Sequence, residues 1–278
     1  MTLPHRIESR TMEDKRFSKV PEITIYFWII KVLCTTVGET FADYLNGNLN
    51  FGLSGTILFM GALFVFSLFF QFKAKKYVPS VYWLTVVLIS VVGTLITDFM
   101  TDTLGISLVT SNILFGLALA ATFIIWYIIE KTLSIHSIFT KRRETFYWLA
   151  VLFTFALGTA TGDLIAERFK VGYLNSLYLF AGLIVVATIA FYVVKAFLAK
   201  DHKFQFSNAV LVFWIVYILT RPLGASIGDY LSQAHDDGGI GLGTTITSVI
   251  FLVPILITVL YLSATKKDTI DIRETTSD

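Results

Sequence analysis

Residues 147–163 read YWLAVLFTFALGTATGD, and the same frame of residue types occurs three more times in the chain. The other copies are FWIIKVLCTTVGETFAD at 27–43, YWLTVVLISVVGTLITD at 82–98 and FWIVYILTRPLGASIGD at 213–229. In each copy a Trp follows an aromatic residue, a Gly comes ten residues after the Trp, and an Asp comes five residues after the Gly. Four matches to one frame indicate a fourfold internal repeat, which has to be recognised before any site is assigned.

The composition is typical of a membrane protein. Of the 278 residues, 55% are hydrophobic and the mean hydropathy is +0.72, whereas soluble domains are about 45–50% apolar. The many Phe and few Pro residues favour helices over barrel strands. We therefore expect an all-α polytopic membrane protein with eight transmembrane helices, each about 20 residues long. The apolar stretches are 23–44, 52–72, 81–101, 106–129, 146–166, 173–196, 209–232 and 243–264.

The distribution of Lys and Arg predicts the orientation. Of the 22 basic residues, 18 lie in the two tails and in the connections after the second, fourth and sixth spans, and only Arg168 and Lys170 lie in the other connections. Under the positive-inside rule this bias places both termini in the cytoplasm. The N-terminal tail lacks the apolar core of a signal peptide, so we expect no cleavage. The predicted segments are a cytoplasmic polar tail at 1–22, one transmembrane domain at 23–264 with repeats near 23–73, 81–130, 146–196 and 209–264, and a cytoplasmic C-terminal tail at 265–278.

All four repeats begin and end on the same side, so they share one orientation. Repeats of this kind are related by an axis along the membrane normal. A closed pseudo-fourfold ring and a pseudo-twofold pair of halves both satisfy this pattern. Each repeated Gly is followed four residues later by another small residue, a spacing that lets helix backbones approach closely. We expect helix packing to be the role of Gly38, Gly93, Gly158 and Gly224.

The pattern resembles a family of bacterial inner-membrane proteins built of four tandem two-helix repeats with a characteristic Trp, catalogued as a repeat of unknown function. The resemblance covers residues 23–264 and rests on Trp28, Trp83, Trp148 and Trp214 within the repeated frame. It implies the eight-helix fold and a multi-pass location in the bacterial inner (cytoplasmic) membrane. It implies no activity and no site roles.

The repeated aspartates suggest chemistry. Each lies about 22 Å along the helix from its Trp, which places all four at one depth near the extracytoplasmic ends. A carboxylate at a helix C-terminus is electrostatically unfavourable, and an ionisable residue inside a membrane is a functional hypothesis. Hydrated carboxylates at the loop edge, or acceptors for backbone amides, are the alternatives. The four residues are Asp43, Asp98, Asp163 and Asp229.

A second carboxylate stands four residues from three of these aspartates, at Glu39, Asp102 and Glu167, whereas the fourth repeat has Gln233. Like charges at this spacing repel on a helix, and more strongly when desolvated. A bound cation relieves the repulsion, so all seven carboxylates are candidate metal ligands. Oxygen donors suit Mg, Ca or Mn. Ser, Thr and Asn residues of the even-numbered spans are possible neutral ligands, unless they bond to their own backbone.

Two basic residues lie within spans. Lys31 is close to the cytoplasmic end, and we expect it to snorkel towards the surface. Arg221 is deeper and needs a partner, and in a closed ring Glu39 of the neighbouring first repeat would supply one. Arg221 is then either an internal counter-charge that stands in for an ion or part of a gate.

These features favour a membrane transporter or channel for cations, with a divalent metal ion of the Mn/Mg type as substrate and with proton coupling as an option. A carrier of a small organic cation, held by cation–π contacts, and a non-transport scaffold or enzyme are the alternatives. The chain has no H-E-x-x-H, G-x-S-x-G or phosphate-loop motif, so we expect no enzyme and no covalently bound cofactor. The expected partners are the cation and the lipid bilayer but no nucleic acid, and homo-oligomerisation is left open.

Overall fold

A computed structural model of the chain describes residues 18–48, 52–197 and 202–269. These residues form eight α-helices without any strand, and each helix is long and apolar enough to cross a membrane. The expected all-α membrane fold is thereby confirmed. The helices are α1 (Ile25–Asn48), α2 (Gly52–Lys73), α3 (Pro79–Asp98), α4 (Leu108–Glu130), α5 (Lys141–Asp163), α6 (Tyr173–Phe197), α7 (His202–Ser232) and α8 (Gly243–Thr265).

The odd-numbered helices form a closed inner ring. Helix α1 packs against α3 and α7, and α5 packs against the same two helices, so α1 and α5 lie diagonally opposite each other. Between 50% and 72% of each odd-numbered span is buried, against 6% to 28% of each even-numbered span. Of the two arrangements that the sequence left open, the structure has the pseudo-fourfold ring.

Each even-numbered helix lies outside the odd-numbered helix of the following repeat. Helix α2 packs on α3, α4 on α5, α6 on α7, and α8 returns to pack on α1. The two helices of one repeat contact each other far less. No repeat therefore buries its own apolar surface, and the ring is held together by contacts between repeats, as in other repeat architectures.

The repeated glycines lie where neighbouring inner helices approach most closely. A Cβ atom added at any of the four would lie 1.8–2.7 Å from a side-chain atom of the next inner helix, closer than van der Waals contact allows. Any side chain would push these helices apart, which is the packing that the small-residue spacing predicted. The pairs are Gly38 with Ser90, Gly93 with Phe155, Gly158 with Arg221, and Gly224 with Thr35.

The inner helices begin at one end of the ring, called here the Trp end, and reach their aspartates at the other, called the Asp end. At the Asp end, α3 and α5 each continue into a π-helical turn, Phe99–Thr103 and Leu164–Arg168. These turns directly follow Asp98 and Asp163. Such π-turns occur frequently at functional sites, and here they carry the second carboxylates, Asp102 and Glu167.

Residues 18–24 form a strap across the Trp end. The Lys19 backbone N–H donates to Ile138 O (3.0 Å), and the Tyr77 N–H donates to Ser18 O (2.9 Å). The Glu22 N–H donates to the carbonyl oxygen of Asp268 (2.9 Å). The strap thus ties the start of the described chain to two connections and to the segment after α8.

Each predicted tail has buried residues where it adjoins the helices. Ser18, Lys19 and Val20 are buried, as is Asp268. The Tyr77 hydroxyl donates to Asp268 Oδ2 (2.5 Å), and burial raises the pKa of the Asp268 carboxyl. The remaining tail residues, 1–17 and 270–278, lie outside the described residues.

A buried ion pair between Lys19 and Glu144 fastens the strap to α5, the helix diagonally opposite α1. The Lys19 ammonium also donates to Phe72 O at the end of α2 (3.1 Å). The Gln71 amide donates to Glu144 Oε1 (3.0 Å) and to Lys19 O (3.2 Å). These contacts satisfy both charges, so the removal of either one leaves the other buried and unpaired.

We expect Lys19→Met to lower the free energy of unfolding by about 3–5 kcal/mol, the usual cost of breaking a buried pair from one side. The measurement is thermal or denaturant unfolding of the purified protein in detergent. The matched control is Arg142→Met, which removes the 66%-exposed partner of Glu130 and should cost no more than about 1 kcal/mol. Equal losses in the two variants would contradict the structural role of the strap.

Candidate cation site

The ring axis is lined by layers of equivalent residues, one from each repeat and four residues apart along each inner helix. Positions four apart lie on one helix face. Contacts between the diagonal helices α1 and α5 show that this face points to the axis, since the Lys31 ammonium lies over the ring of Phe155. Starting at the Trp end, the layers are Phe27, Tyr82, Tyr147 and Phe213; Lys31, Val86, Val151 and Tyr217; Thr35, Ser90, Phe155 and Arg221; Glu39, Thr94, Thr159 and Ala225; and Asp43, Asp98, Asp163 and Asp229.

Three carboxylates from three inner helices meet near the Asp end. Glu39 of α1, Asp163 of α5 and Asp229 of α7 each offer one oxygen, and these oxygens lie within 4.8 Å of one another. Glu39 and Asp229 are buried and Asp163 is half-buried. Converging carboxylate oxygens are the ligands that hard cations take in proteins. This group, called here the carboxylate triad, is the candidate cation site.

The sequence placed all four repeated aspartates in one site, but only two of them belong to the triad. Asp43 and Asp98 are half-buried, and neither belongs to the triad found among the described residues. The contribution of α1 to the triad comes from Glu39, one helical turn closer to the Trp end than Asp43. The site is therefore less symmetric than the repeats that build it.

Asp102 and Glu167 lie at the rim of the ring. Both are exposed on their π-turns, and neither belongs to the triad found among the described residues. Asp102 accepts a hydrogen bond from the Thr101 hydroxyl (3.1 Å), and Glu167 accepts one from the Tyr173 hydroxyl (3.1 Å). They add negative charge at the mouth of the site without closing around it.

Arg221 is fully buried on the axis and has the partner that a closed ring predicted. Its Nη2 donates to Glu39 Oε2 (2.7 Å), to the Thr159 hydroxyl (2.6 Å) and to the Thr94 hydroxyl. The sequence reasoning missed Thr94 and Thr159, although both follow their repeated Gly directly, as Glu39 does. Extending the frame comparison by one position would have placed all three in the same layer.

The expectation that Lys31 snorkels to the surface is wrong. Its side chain is 1% exposed, and its ammonium lies 4.1 Å from the ring centroids of both Phe155 and Tyr217. It has no hydrogen-bond partner in the described part of the chain. Lys31 faces the ring axis, where the aromatic faces stabilise its charge, and not the lipid headgroups.

Three polar residues of the outer helices, Thr56, Asn112 and Thr247, donate to backbone carbonyls. The Thr56 hydroxyl donates to Gly52 O (2.9 Å) and the Thr247 hydroxyl to Gly243 O (2.8 Å). The Asn112 amide donates to Ala160 O (2.8 Å), which joins α4 to α5. Bonding to the backbone of the same helix, the alternative stated in the sequence analysis, holds for Thr56 and Thr247. The neutral oxygens next to the triad belong instead to the inner helices.

An aromatic layer closes the axis at the Trp end. Phe27, Tyr82, Tyr147 and Phe213 are all buried, and the hydroxyls of Tyr82 and Tyr147 form a hydrogen bond with each other. The triad is thus separated from the Trp end by Arg221, by Lys31 and by this layer.

Four successive parts of the chain match the family model described as Repeat of Unknown Function (DUF347), at residues 26–77, 81–132, 146–197 and 212–268. The chain belongs to this family. The matched parts contain every axis residue named above, so the layers follow from the DUF347 repeat itself. Neither the curated proteins nor the solved structures gave a match. The role of the DUF347 repeats in this chain must therefore be inferred from the chemistry of the axis.

Proposed function

We propose that the protein is a membrane carrier for cations, with a divalent metal ion of the Mn/Mg type as its substrate. The carboxylate triad is the observation that carries the proposal: three acidic oxygens within 4.8 Å of one another on the axis of a helical ring. Carboxylates without His or Cys ligands suit hard ions. The proposal is one of transport and not of catalysis.

The charge distribution supports an orientation for this carrier. Because Lys and Arg concentrate in the tails and connections at the Trp end, we place that end in the cytoplasm under the positive-inside rule. The triad and the exposed rim carboxylates Asp102 and Glu167 then face the opposite side. Negative charge at such a mouth raises the local concentration of cations.

The filled axis favours a carrier over an open channel. Arg221, Lys31 and the aromatic layer occupy the axis between the triad and the Trp end, so passage requires a second conformation that opens that end. Alternating access of this kind is usual for secondary transporters built from transmembrane repeats. Metal ligands must be deprotonated to bind, so proton release from the triad would couple metal binding to the proton gradient.

An organic cation is less well supported as the substrate. Such a substrate needs aromatic surfaces along its path, but the faces of Phe155 and Tyr217 are already covered by the ammonium of Lys31. The axis near the triad is lined instead by carboxylates and hydroxyls. Metal ions therefore remain the substrate class that the site fits best.

The test is uptake of radioactive Mn²⁺ by proteoliposomes that contain the purified protein, with protein-free liposomes as the blank. We expect saturable uptake that excess unlabelled Mg²⁺ or Mn²⁺ suppresses and that methylammonium does not. Suppression by methylammonium alone would favour the organic-cation alternative. The absence of both Mn²⁺ binding and uptake would overturn the proposed function.

A further inference from the structure

The guanidinium of Arg221 lies on the axis among oxygen acceptors from the other three repeats. It donates to one residue from each of these repeats, Glu39, Thr94 and Thr159. All three stand directly after their repeated Gly. The fourth equivalent position, in the repeat of Arg221 itself, is Ala225, which is fully buried and small. Three oxygens thus hold a cation that the chain itself supplies.

Glu39 belongs both to the group of residues that bind the Arg221 guanidinium and to the carboxylate triad. Its Oε2 accepts from Arg221 at 2.7 Å, while its carboxylate also lies within 4.8 Å of oxygens from Asp163 and Asp229. A metal ion on the triad would therefore lie close to the guanidinium. Two positive charges at that separation repel each other strongly where water is excluded, so the ion and Arg221 compete for Glu39.

Lys31 prevents the side chain of Arg221 from moving towards the Trp end. The Lys31 ammonium is held between the rings of Phe155 and Tyr217, and two cations over one ring repel each other. The Arg221 guanidinium also lies over Phe155, 5.6 Å from its centroid. Lys31 and Arg221 therefore follow each other along the axis, and among the described residues Glu39 is the acidic side chain that pairs with the Arg221 guanidinium.

We propose that Arg221 is an intramolecular competitor for the cation site. This inference rests on the proposed function: the substrate ion replaces the guanidinium at Glu39, and binding is an exchange of one cation for another. A monovalent ion gains no charge over the guanidinium that it displaces, whereas a divalent ion does. The exchange thus disfavours monovalent ions, which is specificity achieved by a built-in competing interaction.

The inference predicts that removing a buried cation strengthens cation binding. In Arg221→Met, Glu39 is free for the ion, and the affinity for Mn²⁺ should rise about tenfold or more, since close buried charge pairs are coupled by at least that factor. Na⁺, which we expect not to compete in the natural protein, should now compete with Mn²⁺. The measurement is the loss of the free Mn²⁺ signal in electron paramagnetic resonance on titration of the purified protein.

The control is Arg142→Met, which removes an exposed guanidinium that pairs with Glu130 and should leave the Mn²⁺ affinity unchanged. If Arg221→Met does not fold, Arg221→Gln replaces it. The amide removes the positive charge but can still donate a hydrogen bond to the neighbouring hydroxyls, and tighter Mn²⁺ binding is again the supporting result.

Weaker or unchanged Mn²⁺ binding in the Arg221 variants, with binding retained in the natural protein, would overturn the inference alone and would assign Arg221 to positioning Glu39. Mn²⁺ binding by Arg221→Met but not by the natural protein would support the inference, since Arg221 would then exclude the ion completely. Absence of binding in every variant would overturn the proposed function and this inference together.

Discussion

Replacing Asp163 and Asp229 by Asn in one variant should abolish Mn²⁺ binding and uptake. The two residues supply two of the three carboxylates of the triad, and Asn keeps their size and one oxygen while removing the charge. Since the loss of a single supporting residue around a metal typically costs 10–100-fold in affinity, the loss of two charged ligands should cost more than about 100-fold. Mn²⁺ titration and proteoliposome uptake measure the two effects.

Two further variants separate coordination from general charge effects. Asp236→Asn changes an exposed carboxylate in the loop after α7, and binding should not change. Asp102→Asn changes the rim, where salt screens an exposed charge, so its effect should be small and should vanish at high ionic strength. If the double Asp→Asn variant binds Mn²⁺ as well as Asp236→Asn does, the triad is not a cation site.

The inner ring could be predicted because the fourfold sequence repeat gives each inner helix the same buried face. A Gly at the same position of four helices places each backbone against the next, as Gly158 against Arg221 and Gly224 against Thr35 show. The packing of each outer helix on the following repeat could not be predicted. The outer helices are largely apolar, and lipid and protein neighbours are equally apolar, so their sequences do not indicate which helix they cover.

The carboxylates of the site were found because a charge in an apolar run is costly and therefore conspicuous. The frame makes Asp43 equivalent to Asp229, but the α1 residue in the triad is Glu39. For Lys31, the predicted direction of the side chain was wrong. Lys31 lies near a helix end and still faces the axis, because its partners are rings from two other helices.

The hydroxyls around Arg221 escaped notice for a different reason. Thr residues in membrane helices commonly bond to their own backbone, and Thr94 does so with Ser90 O (3.3 Å). Its second contact, to the guanidinium of Arg221, depends on a helix from another repeat. Contacts of that kind depend on how the ring closes. A single sequence predicts them only where a buried charge needs a partner of opposite charge.

Glu39→Gln should destabilise the protein by about 3 kcal/mol because it leaves the guanidinium of Arg221 buried without a counter-charge. Both side chains of this pair are buried, Arg221 completely, so solvent cannot replace the lost partner. For a chain of this size the midpoint of thermal unfolding should fall by about 6–12 °C. Glu167→Gln, at an exposed carboxylate, is the matched control and should change stability by no more than about 0.5 kcal/mol.

The double variant Glu39→Gln with Arg221→Met completes the cycle. It removes both charges, and replacing a buried pair by uncharged groups is often neutral, so much of the lost stability should return. Mn²⁺ should not stabilise the double variant to the extent that it stabilises Arg221→Met, because the shared ligand is gone. If the double variant loses as much stability as the two single variants together, Glu39 and Arg221 act independently. That result would contradict a role of Glu39 in both the ion pair and the triad.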